Sequence, residues 1–270
     1  MDERSIERLS KVPALTVSFW LVKILATTLG ETAGDTLTMT WLGETTPEAS
    51  QAVSGYLIGT LIFGLPLLIL VAAQIRTRRF HPALYWAAII ASTTFGTTLA
   101  DFATRSLGIG YPGGSLLLLA LVLASLGTWR ATLGRIASDD IQNRRQELFY
   151  WVTITFSQTL GTALGDWVAD SGPGYGGGAL IFGAGIAVVA ALWFGTRLSR
   201  AGLFWAAFIL TRPLGATVGD FLDKPVAAGG LAVSRPLASA VLLVGIVLLL
   251  WLVPQRSGHH AIAPERRRND

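Results

Sequence analysis

Trp20, Trp86, Trp151 and Trp205 each stand ten residues before a glycine, at Gly30, Gly96, Gly161 and Gly215. Each of those glycines stands five before an aspartate, at Asp35, Asp101, Asp166 and Asp220. The residues around them read TLGETAGD, TFGTTLAD, TLGTALGD and PLGATVGD. A pattern W-x9-G-x3-[GA]-D held in register four times without a gap is a fourfold internal repeat, so one supersecondary unit has to serve for all four copies.

The solvent those units face follows from composition. Of 270 residues 51% are hydrophobic and only 14% charged, too few charges to cover a water-soluble domain of this size. Long apolar runs approach or exceed the ~20 residues that cross a bilayer as helix. This excludes a disordered chain and a nucleic-acid-binding protein, despite a pI near 9.8. With no cysteine there are no disulfides, iron–sulfur clusters, thiolate zinc sites or cysteine nucleophiles. The first apolar segment carries Lys23, Glu31 and Asp35 and is itself a repeat copy, which argues against a cleavable signal peptide.

Apolar periodicity predicts eight membrane helices, two per repeat, at approximately 14–39, 52–74, 82–105, 114–132, 148–170, 178–196, 201–222 and 233–253. The chain reads as a single membrane domain over 1–270, with repeats near 14–74, 82–132, 148–196 and 201–253. Sixteen of the 21 Lys and Arg lie in the termini and alternate loops, from Arg4, Arg8 and Lys11 through Arg76, Arg78 and Arg79 to Arg266, Arg267 and Arg268. The positive-inside rule therefore places both termini in the cytoplasm. An even number of helices per repeat makes the copies parallel, related about the membrane normal with pseudo-fourfold or pseudo-twofold character. The polar tail, 257–270, is expected to be disordered, and its His259 and His260 read better as solvated than as metal ligands.

Two outer turns, around Gly108–Gly114 and Gly172–Gly178, contain G-x-G-x-x-G. That fingerprint binds dinucleotides only between a strand and a helix. Here it follows a membrane helix, so tight turns with Tyr111 and Tyr175 at the interface are expected instead.

Polar residues recur every four positions on the motif helices, which stacks them on one face. They are Lys23, Thr27, Glu31 and Asp35 in the first repeat, and Thr93, Thr97 and Asp101 in the second. The third has Gln158, Thr162 and Asp166, and the fourth Arg212 and Asp220, with Ala216 the one apolar exception between them. In lipid such a stripe has to face protein or water. Beside it runs a stripe of small residues, Gly30/Gly34, Gly96/Ala100, Gly161/Gly165 and Gly215/Gly219, a spacing that lets helix backbones approach closely. The motif helices are thus expected inside and the apolar second helices outside, facing lipid. Pro213 is expected to kink the seventh helix and free backbone carbonyls as extra ligands, making the fourth repeat a candidate moving element.

The enclosed acids (Glu31, Asp35, Asp101, Asp166, Asp220) outnumber the enclosed bases (Lys23, Arg212), and no base is repeated to match the aspartates. Such a cluster can hold protons, take hydrogen-bond donors or bind a cation. Only oxygen ligands are offered, with Met39 the one sulfur nearby, which suits a hard cation such as Mn²⁺ or Mg²⁺. The expectation is a non-enzymatic transporter exchanging a divalent cation for protons. Glu31, Asp35, Asp101, Asp166 and Asp220 would bind the metal, and Thr27, Thr93, Thr97, Gln158 and Thr162 would line its path. Lys23 and Arg212 would serve as counter-ions. No tightly held cofactor is called for beyond a bound divalent cation. The partners are lipid, an inorganic cation and protons, and a homo-oligomer is compatible. Two alternatives stay open: a membrane scaffold whose aspartates are structural, and an intramembrane aspartyl protease. The second fits less well, because such enzymes pair two aspartates with one in G-x-G-D, a spacing missing here.

The W…T-L-G-x-x-x-G-D pattern resembles a bacterial family of multipass, membrane-anchored proteins defined by a repeat of unknown function. The resemblance covers all four repeats, and the chain departs from it at Ala100 and Pro213. It implies a location in the bacterial cytoplasmic membrane and carries no activity with it.

Overall fold

The computed structural model describes residues 10–44, 54–77, 79–137, 141 and 143–258. Hydroxyl and amide side chains start four of the helices, as isolated helix ends require. Thr16 accepts from the Phe19 amide, Ser54 from Tyr56, Asn143 from Gln146 and Ser199 from Gly202. In order, the helices are α1 (Val17–Asp35), α2 (Gly55–Arg76), α3 (Pro82–Asp101), α4 (Gly110–Leu133), α5 (Arg144–Asp170), α6 (Gly174–Gly195), α7 (Arg200–Asp223) and α8 (Arg235–Leu252). After their aspartates α1 and α3 continue as π-helical turns, Thr36–Trp41 and Phe102–Ser106.

The expected architecture is corrected in two places, the starts of α4 and α6 and the start of the tail. Helices α4 and α6 begin four residues early, so Tyr111 and Tyr175 sit in first helical turns rather than in loops. The turns shrink to Gly108–Gly110 and Gly172–Gly174, where positive φ at Gly108, Gly110, Gly172 and Gly174 reverses the chain. Helix α7 runs without a break through Pro213. The tail does not start free at 257: Ser257 bridges Pro13, and the Gly258 amide donates to the Val12 carbonyl. His259 and His260 lie outside the described residues.

The motif helices form a closed ring: α1 packs on α3 and α7, and α5 also packs on α3 and α7. The second helix of each repeat leans mainly on the motif helix of the next repeat: α2 on α3, α4 on α5, α6 on α7, and α8 back on α1. Each repeat is thereby clasped to its neighbour, and the last to the first.

Glycine makes the ring tight. A methyl group added at Gly30 would strike Thr93, one at Gly96 the Gln158–Thr159 backbone, one at Gly161 Arg212 and one at Gly215 Thr27. Every first-motif glycine thus receives the side chain or backbone three positions before the next motif's glycine. One step outward Gly34 meets Thr97, Gly165 meets Ala216 and Gly219 meets Glu31, while Ala100 is fully buried. At these contacts Thr93 Oγ1 donates to the Ala26 carbonyl, Thr27 Oγ1 to Thr211 and Thr97 Oγ1 to Gly30, each at 3.1 Å. Interhelical bonds of this kind are worth about 0.6 kcal/mol each within a bilayer.

This geometry predicts opposite outcomes for two glycine-to-alanine changes. At Gly96 the new methyl would lie 2.9 Å from backbone atoms of α5, so α3 and α5 must part, at a cost of about 1–3 kcal/mol. At Gly127 nothing lies within 4 Å, and the better helix propensity of alanine should leave stability equal or up to about 1 kcal/mol higher. Thermal unfolding in one detergent compares them directly.

Among the described residues six helices are long and apolar enough to cross a membrane: α2, α3 with its π turn, α4, α6, α7 and α8. Helix α1, with three charges in nineteen residues, and α5, with a charged first turn, are not among them, against the eight expected from apolar periodicity. The apolar faces of the outer helices are bare: Leu65, Leu68, Leu123, Leu180, Val188, Phe194, Val244 and Trp251 are all exposed. An apolar surface of that extent is consistent with association with a membrane.

Candidate functional site

The ring encloses four layers, the first and last each built from one position of the motif. The innermost is aromatic. The residue before each motif tryptophan is itself aromatic, Phe19, Tyr85, Tyr150 and Phe204. Each meets the tryptophan of the next repeat: Phe19 with Trp86 at 5.5 Å between centroids, Tyr85 with Trp151 at 5.7 Å, Tyr150 with Trp205 at 5.8 Å and Phe204 with Trp20 at 5.9 Å. The Tyr85 and Tyr150 hydroxyls hydrogen-bond at 2.6 Å. Eight rings in contact fill this end of the ring.

Above them Lys23 is fully buried, its Nζ 4.0 Å from the Phe208 ring centroid and 3.5 Å from Gln158 Oε1. Among the described residues no carboxylate lies within ion-pair range of Lys23, so it is not the counter-ion to the acids that the sequence suggested.

The third layer is a central ion pair. Arg212 Nη2 lies 3.0 Å from Glu31 Oε2 and donates to Thr97 Oγ1 at 2.6 Å and to Thr162 Oγ1. Both threonine hydroxyls also reach Glu31 Oε2, at 3.4 and 3.3 Å. All four side chains are buried, and side chains of four different motif helices converge on one guanidinium and one carboxylate. Pairing makes such burial tolerable, since either charge alone would lose its hydration without recompense. Thr27 and Thr93, expected to line a path, are instead tied to neighbouring backbone carbonyls.

The fourth layer holds the four aspartates, all buried. Here the expectation of unmatched acids fails. Arg105 bridges Asp101, with Nε at 2.9 Å, and Asp166, with Nη2 at 3.1 Å. Lys224 Nζ bridges Asp35 at 2.6 Å and Asp220 at 2.9 Å, with Asp223 at 3.9 Å. Arg235 adds Nε contacts to Asp223 at 3.5 Å and Asp35 at 3.9 Å. Each of Arg105 and Lys224 stands four residues after one aspartate and reaches across to the aspartate of the next repeat. Six buried carboxylates therefore share the enclosure with five bases. The arginine at Asp101 is close but not aligned for hydrogen bonding, so neither Asp101 oxygen has a hydrogen-bond partner among the described residues.

Two acidic clusters in these layers could coordinate a cation. Glu31, Asp166 and Asp220 each offer a carboxylate oxygen within 4.8 Å of the others, and so do Asp35, Asp220 and Asp223. The second is already centred on a cation of the protein's own, because the Lys224 ammonium touches all three of its members. The first has Arg212 on the Glu31 side and Arg105 on the Asp166 side. Asp101 belongs to neither.

Asp223, Arg105, Lys224 and Arg235 lie outside the repeated motif positions. One signal pointed to them. The five Lys and Arg left over from the basic loops are Lys23, Arg105, Arg212, Lys224 and Arg235, and all five lie in these layers.

Fold and site together define an all-helical bundle of four two-helix repeats around buried acidic clusters able to hold a cation. The chain belongs to the family described as Repeat of Unknown Function (DUF347), whose repeat matches residues 18–80, 84–134, 149–199 and 203–257. No curated protein and no solved structure matches it.

Proposed function

We propose that this is a multipass protein of the bacterial cytoplasmic membrane that transports a divalent cation of the Mn²⁺ or Mg²⁺ type in exchange for protons. On this reading it is not an enzyme. All eight helices span, both termini face the cytoplasm, and the motif helices form a pseudo-fourfold ring around the path. The reading rests chiefly on Glu31, Asp166 and Asp220, three buried carboxylates converging from three repeats. An ion of the Mg²⁺ type, about 2.0–2.1 Å from each oxygen, sets opposite ligands about 4.0 to 4.2 Å apart, and these oxygens all lie within 4.8 Å of one another. Thr97 and Thr162 supply further oxygens beside Glu31.

In this account Arg212, Arg105 and Lys224 are built-in competitors. They hold the carboxylates while no ion is bound and withdraw when one arrives. When the metal leaves, two protons on the carboxylates replace its charge, so the enclosure never carries the full repulsion of its acids. The aromatic layer is the inner barrier, and the ring has to part there for release.

Manganese flux into proteoliposomes tests this. Asp166→Asn and Asp220→Asn, each removing a ligand charge, should lower flux at least about tenfold while the folded protein remains. Full flux in both variants would overturn the assignment of the aspartates.

A second reading is favoured by the ion pairs themselves. Between them Arg105 and Lys224 pair with all four motif aspartates, as structural glue would. That reading predicts no flux in the wild-type protein, and only lost stability in the variants.

A further inference from the structure

We propose that Lys23, Gln158 and Arg212 form a binding site for a small monovalent anion of halide size, in the layer between the aromatic rings and Glu31. All three side chains are wholly buried. Between them they present donors almost without acceptors. Arg212 Nε and Nη1 and Gln158 Nε2 have no hydrogen-bond partner among the described residues. The Lys23 ammonium has three protons to give and finds one amide oxygen, at the long distance of 3.5 Å, and the face of Phe208. Lys23 has no carboxylate partner among the described residues, and on Arg212 the Glu31 carboxylate engages only Nη2.

Buried polar atoms in folded proteins almost always have partners, so a group of orphaned donors in one layer marks a missing acceptor. A water molecule would accept some of these bonds but leave the charge of Lys23 unpaired. An anion does both jobs. Neighbouring helices touch at Gly30, Gly96, Gly161 and Gly215, so a ring this tight favours a small ion over a carboxylic acid or a phosphate.

The site stands on the donors alone and does not require the transport reading. It would assist it, because an anion on Arg212 lowers the cost of releasing Glu31 to a metal.

The test uses the intact protein and bromide. Crystals grown in sodium bromide should show anomalous density in contact with Lys23 Nζ and Arg212. Purified protein should unfold at a higher temperature in chloride than in gluconate, which is too large to enter, at equal ionic strength. Gln158→Glu places a carboxylate among the same donors and should abolish both the density and the chloride effect while keeping the fold. Lys23→Met should weaken the halide effect about tenfold or more, since a charge-assisted bond is lost. Asp166→Asn, in the cation cluster above, should leave bromide binding intact, which separates this site from the transport reading. Bromide found only at the surface, equal unfolding in chloride and gluconate, or undiminished bromide in Gln158→Glu would overturn the proposal.

Discussion

Replacing Arg212 by methionine is expected to cost about 3–5 kcal/mol, the largest effect of any single change in the protein. The guanidinium is fully buried and joins Glu31, Thr97 and Thr162, so its removal strands a carboxylate at the centre of the ring. Methionine fills much the same volume, so the loss reports charge rather than a cavity. Glu31→Gln alone should be costly for the converse reason, because it leaves the guanidinium without its acid. The double variant, Arg212→Met with Glu31→Gln, should recover much of the loss, since neither uncompensated charge remains. Unfolding of the four proteins followed by tryptophan fluorescence gives the coupling. Additive losses would mean that the pair does not hold the ring together.

Lys224→Met is expected to convert a stable protein into one whose stability depends on divalent cations. The ammonium lies among Asp35, Asp220 and Asp223, and without it three buried acids repel one another. In metal-free buffer this variant should unfold well below the wild-type temperature. Manganese should then bind where the ammonium was, and a ligand at a hundred times its dissociation constant returns about 2.7 kcal/mol. The wild type, with its site already filled, should respond to manganese much less through this cluster. An equal response in both proteins would show that Lys224 does not occupy a cation site.

These expectations differ in how far the sequence alone could reach them. The ring was legible: the four registers and the paired small residues at Gly30/Gly34 and Gly161/Gly165 required motif helices in close contact with the acids between them. Which outer helix covers which motif helix was not legible. Each repeat looks like a hairpin, yet α2 lies mainly on α3 and α8 closes on α1, a choice made by tertiary packing rather than by local sequence. The glycine-rich turns misled because glycine is a poor helix former. Gly110, Gly113, Gly174, Gly176 and Gly177 are helical nonetheless, and at the expected helix starts Gly114 and Gly178 make room for Thr104 and Thr217. Arg105 and Lys224 were hidden by their position just past the apolar run, although their spacing of four from Asp101 and Asp220 was plain. Phe19, Tyr85, Tyr150 and Phe204 were likewise visible as a fourfold aromatic position, but only the closed ring shows each meeting its neighbour's tryptophan.

The central claim is that a divalent cation binds among Glu31, Asp166 and Asp220, and anomalous diffraction at the manganese edge from crystals soaked in Mn²⁺ tests it most directly. The account predicts one strong peak touching all three carboxylates, with the Arg212 guanidinium drawn away from Glu31, and no such peak in Asp166→Asn. Saturating manganese that leaves the layer without a peak and Arg212 still bonded to Glu31 would contradict it.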